Sequence, residues 1–213
     1  MGVKSFIRKV IWYHKKHGWL KLTKLSLERI WWHLNDKGVM YYLDLSTMEV
    51  DKSLLRENVF VESYEKMQDI PLKDIEILTE LKSKEILMVF LKRLVDRGAT
   101  LWLTKEDGKL VNVIWTLVGG LNGYYEGLPI VSSDVIFLAG ETFPEYRGRS
   151  ILRITISLVC LKLKERGISR VYSVPNIKND ISVRSQSKVL KRMGTVRSFG
   201  FFKWYIAIWD KKM

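Results

Sequence analysis

In the last third of the chain, a short apolar strand is followed by a basic, glycine-containing loop and then a long apolar helix. The strand covers Val135 to Ala139, and apolar residues recur at helical spacing from Ile151 until Gly167. Such a junction offers an anion both unpaired backbone N–H groups and the positive end of the helix dipole. The Arg147-Gly148-Arg149-Ser150 loop is therefore a candidate pyrophosphate site, and a plain turn with a solvated basic face is the alternative.

A hairpin precedes this junction. Thr100 to Thr104 and Leu110 to Leu117 are predicted strands, joined by Lys105-Glu106-Asp107-Gly108, whose Asp-Gly pair supplies the positive φ of a tight turn. Composition and periodicity predict further strands at 39–45, 58–64, 171–174 and 199–209, and helices at 72–97 and 182–193. Strands and helices in this order predict an α+β fold with a mixed sheet.

The N-terminal segment is expected to form a basic helical extension. Residues 1–37 hold nine Lys and Arg against Glu28 and Asp36, a net +7 of the chain's +13. Two helices are predicted, separated at Gly18, and the second should end near Gly38. One face of this second helix carries Leu27, Ile30, Trp31 and Leu34. The expected division is an extension at 1–38 and a folded domain at 39–213.

Tryptophan is concentrated in the same extension, which holds Trp12, Trp19, Trp31 and Trp32. Basic residues mixed with tryptophan suit the surface of an anionic membrane. The alternatives are that the helices pack on the main domain and leave a solvated basic face, or that they bind nucleic acid. Nucleic acid is the least favoured, because no recognisable nucleic-acid-binding module accompanies the charge.

Other residue types argue for a cytoplasmic protein without a metal site. The single cysteine, Cys160, excludes an internal disulfide and lies inside an apolar helix as a buried thiol. No apolar run is long enough to indicate a membrane span, and none resembles an export signal. His14, His17 and His33 have no acidic partner at a metal-ligand spacing. We expect a cytoplasmic location, with peripheral contact at the inner membrane surface as a further hypothesis.

Two segments resemble the GNAT (Gcn5-related N-acetyltransferase) superfamily. Phe143 to Ile151 is similar to its acetyl-CoA loop, (R/Q)xxGx(G/A), with Arg147 at the first motif position. Asn179 to Lys188 is similar to the NxxSxRSxxK run that follows the fifth strand in many GNAT proteins. The resemblance covers roughly residues 58–213. The chain departs from the usual pattern in having Ser150 and Leu152 at the fourth and sixth loop positions, Val189-Leu190 in place of Gly-Phe, and Gln186 near the usual tyrosine.

The resemblance implies a mostly antiparallel central sheet flanked by helices, and an acyl-CoA-dependent N-acyltransferase. Acetyl-CoA or another acyl-CoA would be the co-substrate, attacked directly by a primary amine, while a backbone N–H near the end of the Val135–Ala139 strand polarises the thioester carbonyl. The cofactor-binding residues that it implies are Thr142, Phe143, Arg147, Gly148, Arg149, Ser150, Ile151, Leu152, Asn179, Ser182 and Arg184.

Three residues are candidates for proton transfer. Asp134 and Glu141, at the two ends of the same strand, are candidate bases, and Tyr172 on the neighbouring strand is a candidate acid. Each has a structural alternative. Asp134 would cap the Ser132-Ser133 turn, Glu141 would be a solvated loop carboxylate, and Tyr172 would be a packed aromatic.

The acceptor is expected to be a small molecule or a cell-envelope precursor, such as an amino sugar. The competing hypothesis is a GNAT-like binding or interaction module, possibly at a membrane surface, that has lost catalysis. The sequence leaves the oligomeric state open.

Overall fold

The computed structural model of the protein describes residues 36–49, 55–81, 84–119, 131, 133–199 and 204–209. The strands in these ranges are β1 (Asp36–Asp44), β2 (Val59–Tyr64), β3 (Ala99–Glu106), β4 (Lys109–Val118), β5 (Val135–Thr142), β6 (Arg170–Ser173), β7 (Lys191–Phe199) and β8 (Trp204–Trp209). The α-helices are α1 (Leu72–Leu81), α2 (Lys84–Val95), α3 (Ile151–Glu165) and α4 (Asp180–Gln186), with short 3-10 turns at Met67–Asp69 and Pro144–Tyr146.

The eight described strands form one sheet in the order β2-β3-β4-β5-β6-β1-β7-β8. Its pairs are antiparallel except for β5 and β6, which run parallel. The prediction of a mixed, mostly antiparallel sheet flanked by helices is confirmed.

The β3–β4 hairpin forms where the sequence predicts it. Asp107 and Gly108 have φ values of 52° and 73°, the two positive angles of a tight two-residue turn. Glu106 pairs with Lys109, so both strands extend to the turn itself. The hairpin is therefore a stiff element with a defined tip.

Helices cover both faces of the sheet. On one face, Leu78 of α1 and Leu87 and Leu91 of α2 are buried in one apolar cluster with residues of the central strands. On the other face, Val159 and Leu163 of α3 are buried in a second cluster. This layering gives β5 a helix-covered surface on each side.

The predicted helix over 182–193 is wrong in its second half. The helix α4 ends at Gln186, and the chain enters β7 at Lys191, where it pairs with β1. Leu190 and Met193 have helical spacing, but they are buried in different clusters on opposite faces of the sheet. Because both faces are covered here, apolar residues are not restricted to alternate positions, and the pattern imitates a helix.

The other predicted boundaries differ less from those in the structure. The helical region predicted at 72–97 consists of α1 and α2, and Gly98, with φ of 76°, follows the end of α2. The sheet starts at Asp36, so residues 36–38, which the sequence assigns to the extension, already belong to β1. The two predicted N-terminal helices and the four tryptophans lie outside the described residues. Among the described helices, none has the length and apolar character needed to cross a membrane.

Candidate functional site

The sheet opens between β5 and β6. The strand β5 pairs with β4 from Val135 to Thr142, but with β6 only from Val135 to Phe137. After β6 the chain follows β1 instead, since the Val39 N–H donates to the Pro175 carbonyl at 3.0 Å. Beyond Phe137 the two central strands therefore separate.

Side-chain exposure marks the same opening. Val135 and Ile136 in the paired half of β5 are 0% exposed, whereas Ala139 and Gly140 are exposed although β5 is the fourth of eight strands. A central strand normally has neighbours on both edges. Within the described part of the chain, no strand pairs with the β6-facing edge of residues 138–141, and this edge offers backbone donors and acceptors to an extended ligand.

The opening ends at the loop that leads into α3. Gly148 and Ser150 have φ values of 77° and 61°, both left-handed, and Ser150 makes no side-chain capping hydrogen bond to α3. The first N–H groups of a helix have no partner within it, and the helix dipole adds partial positive charge there. This end of α3 therefore suits an anion.

Arg147 joins the loop to β5. Its Nε donates to the Thr142 carbonyl at 3.1 Å, and its Nη2 lies 3.9 Å from Glu141 Oε1. Glu141 pairs with Val113, which is buried in the cluster beneath α1 and α2. Residues directly opposite in an antiparallel pair share a face, so Glu141 lies on the side of the sheet away from α3. The site thus has, at one end, a loop whose geometry suits an anion and, on the opposite face of the sheet, a carboxylate.

Solved structures of acetyltransferases share this architecture. A glucosamine N-acetyltransferase region of a fungal multi-domain GH3 β-N-acetylglucosaminidase matches with a TM-score of 0.56 at 16% identity over 76% of this chain. A GNAT-family acetyltransferase from Colwellia psychrerythraea matches with a TM-score of 0.52 at 10% identity over 76%. A tandem GNAT protein of the clavulanic acid pathway matches with a TM-score of 0.51 at 14% identity over 73%. The chain has the GNAT fold.

These matches are to parts of larger proteins. This chain covers 20% of the fungal protein, 54% of the Colwellia protein and 49% of the tandem GNAT protein. No family model matches the chain, and no curated protein matches it in sequence. At these identities the likeness establishes the GNAT fold and leaves the activity to be argued from the site.

Within the GNAT-type loop, Arg149 is anchored to the hairpin. Its Nη2 lies 2.8 Å from Oε2 of Glu106, whose side chain is 6% exposed, and its guanidinium stands over the Tyr146 ring at 5.4 Å from the centroid. Both arginines of the loop are partly exposed, Arg147 at 57% and Arg149 at 48%, but the ion pair of Arg149 at 2.8 Å is much closer than that of Arg147 at 3.9 Å. Of the two, Arg147 is thus held less tightly by the protein.

Other loop residues predicted to bind the cofactor are packed into the GNAT core. Phe143 and Ile151 are each 1% exposed. Leu152 is partly buried against the cluster beneath α3. Thr142 Oγ1 accepts a hydrogen bond from Asn112 Nδ2 at 2.7 Å. Ile151 and Leu152 can therefore offer a ligand their backbone rather than their side chains, whereas the Phe143 N–H donates to the Val111 carbonyl and the Phe143 carbonyl accepts from the Tyr146 N–H.

In the Asn179-to-Lys188 run, two residues stabilise α4. Asn179 Oδ1 accepts from the Ser182 N–H at 3.1 Å, the geometry of a helix N-cap. Ser182 Oγ accepts from Gln186 Nε2 at 3.0 Å. Arg184 is exposed. The polar groups of Asn179 and Ser182 thus have local structural roles, and Arg184 is one of several exposed residues of the run, together with Asp180, Ile181, Ser187 and Lys188.

The three predicted proton-transfer residues do not lie together. Asp134 is 0% exposed, its Oδ2 accepts from the Val131 N–H at 3.0 Å, and its Oδ1 lies 3.1 Å from Arg170 Nε. Tyr172 is 2% exposed and pairs with Ile136; burial, together with the Asp134 charge, raises the pKa of its hydroxyl. Both residues lie in the closed half of the β5–β6 pair. Of the three, Glu141 is the one at the opening.

The described ranges contain neither a candidate metal site nor a reactive thiol. No group of three His, Cys, Asp or Glu residues in them is arranged to hold a metal ion. The three histidines lie outside these ranges. Cys160 is fully buried, and burial raises the pKa of its thiol, which disfavours the nucleophilic thiolate.

Sequence analysis missed Asn112 and Glu106. Both lie in the predicted hairpin region, Asn112 inside a strand and Glu106 beside the turn, and nothing local marks either as a site residue. Asn112 is 0% exposed and meets Thr142 because β4 pairs with β5. Glu106 meets Arg149 across 43 positions of chain. Only the pairing of distant strands brings these residues to the site.

Proposed function

We propose that the protein transfers an acyl group, most simply acetyl, from an acyl-CoA to a primary amine. The observation that carries this proposal is the opening in the centre of the sheet, where Ala139 and Gly140 are exposed beside the anion-binding end of α3. An extended thioester arm fits the free edge of β5. The pyrophosphate fits the N–H groups of the Gly148–Ile151 segment and the Arg147 guanidinium.

In this mechanism the two faces of the sheet have different roles. The loop before α3 holds the pyrophosphate, and backbone N–H groups of β5 beyond Phe137 polarise the thioester carbonyl. The amine attacks the carbonyl carbon, the C–N bond forms, and the C–S bond breaks as the CoA thiolate leaves. Glu141 takes the proton lost by the amine, directly or through water, and the CoA thiolate takes a proton from water. Positioning of both reactants supplies much of the rate acceleration.

We propose an acceptor that is a small amine or a cell-envelope precursor, such as an amino sugar. Glu141 supports a cationic amine as acceptor, because its carboxylate faces the side of the sheet opposite α3. The fungal neighbour, which contains a glucosamine N-acetyltransferase region, is in keeping with a sugar amine.

A binding module without catalysis is the second candidate. It is favoured by Gln186, which is 8% exposed and stands near the position of the usual tyrosine. An amide can donate a hydrogen bond to a thiolate but cannot give up a proton to it.

Two measurements test and separate these functions. Acetyl-CoA at about 1 mM should raise the thermal unfolding temperature, because a ligand specific for the native state stabilises it. A panel of amines with acetyl-CoA and longer acyl-CoAs should then release free thiol. No thermal shift contradicts the acyltransferase and leaves the binding module, and a shift without thiol release from any amine supports a module that binds CoA without catalysis.

For the extension, we propose a domain division near residue 36 and contact with an anionic membrane surface from the cytoplasmic side. The support is the charge and tryptophan content of residues 1–35. Liposomes containing an anionic lipid should sediment the full chain more than a variant that starts at Asp36. Equal recovery in the pellet contradicts membrane contact.

A further inference from the structure

We infer that Glu106, which lies outside the loop, positions the anion-binding loop by holding Ser150 in its left-handed conformation. The inference rests on the proposed CoA site. It assigns to the tip of the β3–β4 hairpin a role in cofactor affinity.

The Glu106 carboxylate is buried and fully engaged by two arginines. Its Oε1 lies 2.9 Å from Arg56 Nη1, and its Oε2 lies 2.8 Å from Arg149 Nη2. The Glu106 side chain is 6% exposed, whereas those of Arg56 and Arg149 are 39% and 48% exposed. A buried carboxylate without such partners would destabilise the fold. The Arg56 and Arg149 guanidinium groups are therefore held in fixed positions beside Glu106.

The ion-pair cluster of Arg56, Glu106 and Arg149 also orients the peptide group between Arg149 and Ser150. Arg56 Nη2 donates to the Arg149 carbonyl at 3.3 Å. In a planar trans peptide the carbonyl and the following N–H point in opposite directions. The Ser150 N–H therefore points away from Arg56. It is one of the N–H groups that precede α3, where the anion is expected.

Ser150 needs such support. Its φ of 61° lies in the left-handed region, which is unfavourable for a residue with a Cβ and open to glycine without that penalty. Arg149 comes directly before it and is held at both its guanidinium and its carbonyl. These contacts compensate for a serine where a glycine would adopt the conformation readily.

Glu106 itself belongs to a stiff part of the sheet. Glu106 pairs with Lys109 across the two-residue turn. Next to it, the Asp107 N–H donates to the Asn58 carbonyl at 3.0 Å, and Asn58 Nδ2 donates to Asp107 Oδ1 at 3.0 Å. The loop therefore takes its position from the hairpin.

The first experiment compares ligands with and without a pyrophosphate. In Glu106→Gln, the dissociation constant for CoA, measured by calorimetry, should rise about tenfold, the effect of a lost charged hydrogen bond. Binding of acetyl-pantetheine, which has no pyrophosphate, should be unchanged in saturation-transfer NMR. The matched control is Glu165→Gln, which removes an exposed carboxylate 3.1 Å from Lys162 and should leave both ligands unaffected.

The second experiment tests the link to Ser150. In a Ser150→Gly background the left-handed conformation is no longer strained, so Glu106→Gln should weaken CoA binding by less than about threefold. If Glu106→Gln does not fold, Arg56→Gln removes the bond to the Arg149 carbonyl at a more exposed position and should show the same dependence on residue 150.

Three results overturn the inference. In the first, Glu106→Gln (or Arg56→Gln in its place) binds CoA as the unmodified protein does. In the second, CoA and acetyl-pantetheine are weakened equally, as a general loss of structure would cause. In the third, the loss is the same with serine and glycine at position 150. If the unmodified protein itself binds no CoA, the proposed function fails and the inference fails with it.

Discussion

The Arg147 guanidinium lies 3.9 Å from the Glu141 carboxylate, so the loop before α3 and the acid on the opposite face of the sheet meet in one ion pair. The two side chains are 57% and 37% exposed, and pairs this open to water are weak. Each partner is therefore accessible to a charged ligand, as the proposed roles of Arg147 toward a phosphate and of Glu141 toward an amine require.

Glu141→Gln should lower kcat about 100-fold, because a side-chain amide cannot take the proton that the amine loses. The KM for acyl-CoA should change little, since Glu141 faces away from α3. Steady-state kinetics of thiol release measure both. Glu145→Gln, an exposed change in the adjacent 3-10 turn, is the control. A kcat within about threefold of the unmodified protein would remove Glu141 as the base.

Arg147→Gln should raise the KM for acyl-CoA about tenfold through loss of a charged contact to the pyrophosphate. Arg147→Lys keeps the charge but cannot reproduce the hydrogen bond from Nε to the Thr142 carbonyl. Its KM for acyl-CoA should lie between those of the unmodified protein and Arg147→Gln. Calorimetric titration with CoA gives the order of affinities, and equal affinity for all three proteins would show that the loop binds the anion without Arg147.

Ala139→Trp should block the opening in the sheet. The residue is exposed and lies on the same face of the sheet as its partner Trp115, so the larger side chain should leave the core in place while it covers the opening from that face. The thermal shift produced by acetyl-CoA should disappear, with an unchanged unfolding temperature in the absence of ligand. Val118→Trp, a similar change at a 47% exposed position at the far end of β4, should keep the shift. If Ala139→Trp also keeps it, the thioester arm lies elsewhere.

Lys105→Met should destabilise the fold by about 3 kcal/mol at neutral pH, because it leaves Glu62 and the buried Asp74 without their cation. Burial alone would lower the pKa of Lys105, but its hydrogen bonds to Glu62 and Asp74 raise it above 10.5. A raised pKa in the folded state stabilises below pH 10.5, and this stabilisation is lost as the pH rises through the folded value.

Urea unfolding at pH 7 and at increasing alkaline pH tests this assignment. The difference between the unmodified protein and Lys105→Met should shrink above about pH 10.5. Lys162→Met removes a 53% exposed lysine from a surface pair and should cost less than about 1 kcal/mol. A cost for Lys105→Met as small as that of Lys162→Met would contradict a stabilising role for the cluster.

Local signals predicted much of the fold. The Asp107-Gly108 turn, the apolar spacing of α3 and the glycine-containing loop before it are short-range features, and each depends on backbone geometry within a few residues. The 182–193 segment was different. Its apolar residues pack on opposite faces of a doubly covered sheet, and the choice between helix and strand was made by the pairing of β7 with β1.

In the candidate site, too, local sequence identified some residues, while contacts between distant elements were visible only in the structure. Arg147, Glu141 and Ser150 could be named from the sequence, because they lie in or next to the contiguous segment that carries the resemblance to the GNAT loop. The engagement of Asp134 by Arg170, and that of Arg149 by Glu106, could not be named, because each pair joins elements that are distant in the chain.

By itself, the sequence determined an α+β chain with a strand, a basic glycine-containing loop and a helix in succession, since periodicity and turn chemistry are local properties. Only the tertiary structure decided that the sheet opens after Phe137, that Glu141 rather than Asp134 stands at the opening, and that Glu106 holds the loop. The physical reason is that strand pairing and burial depend on residues far apart in the chain. Their register sets which side chains meet, and no local pattern encodes that register.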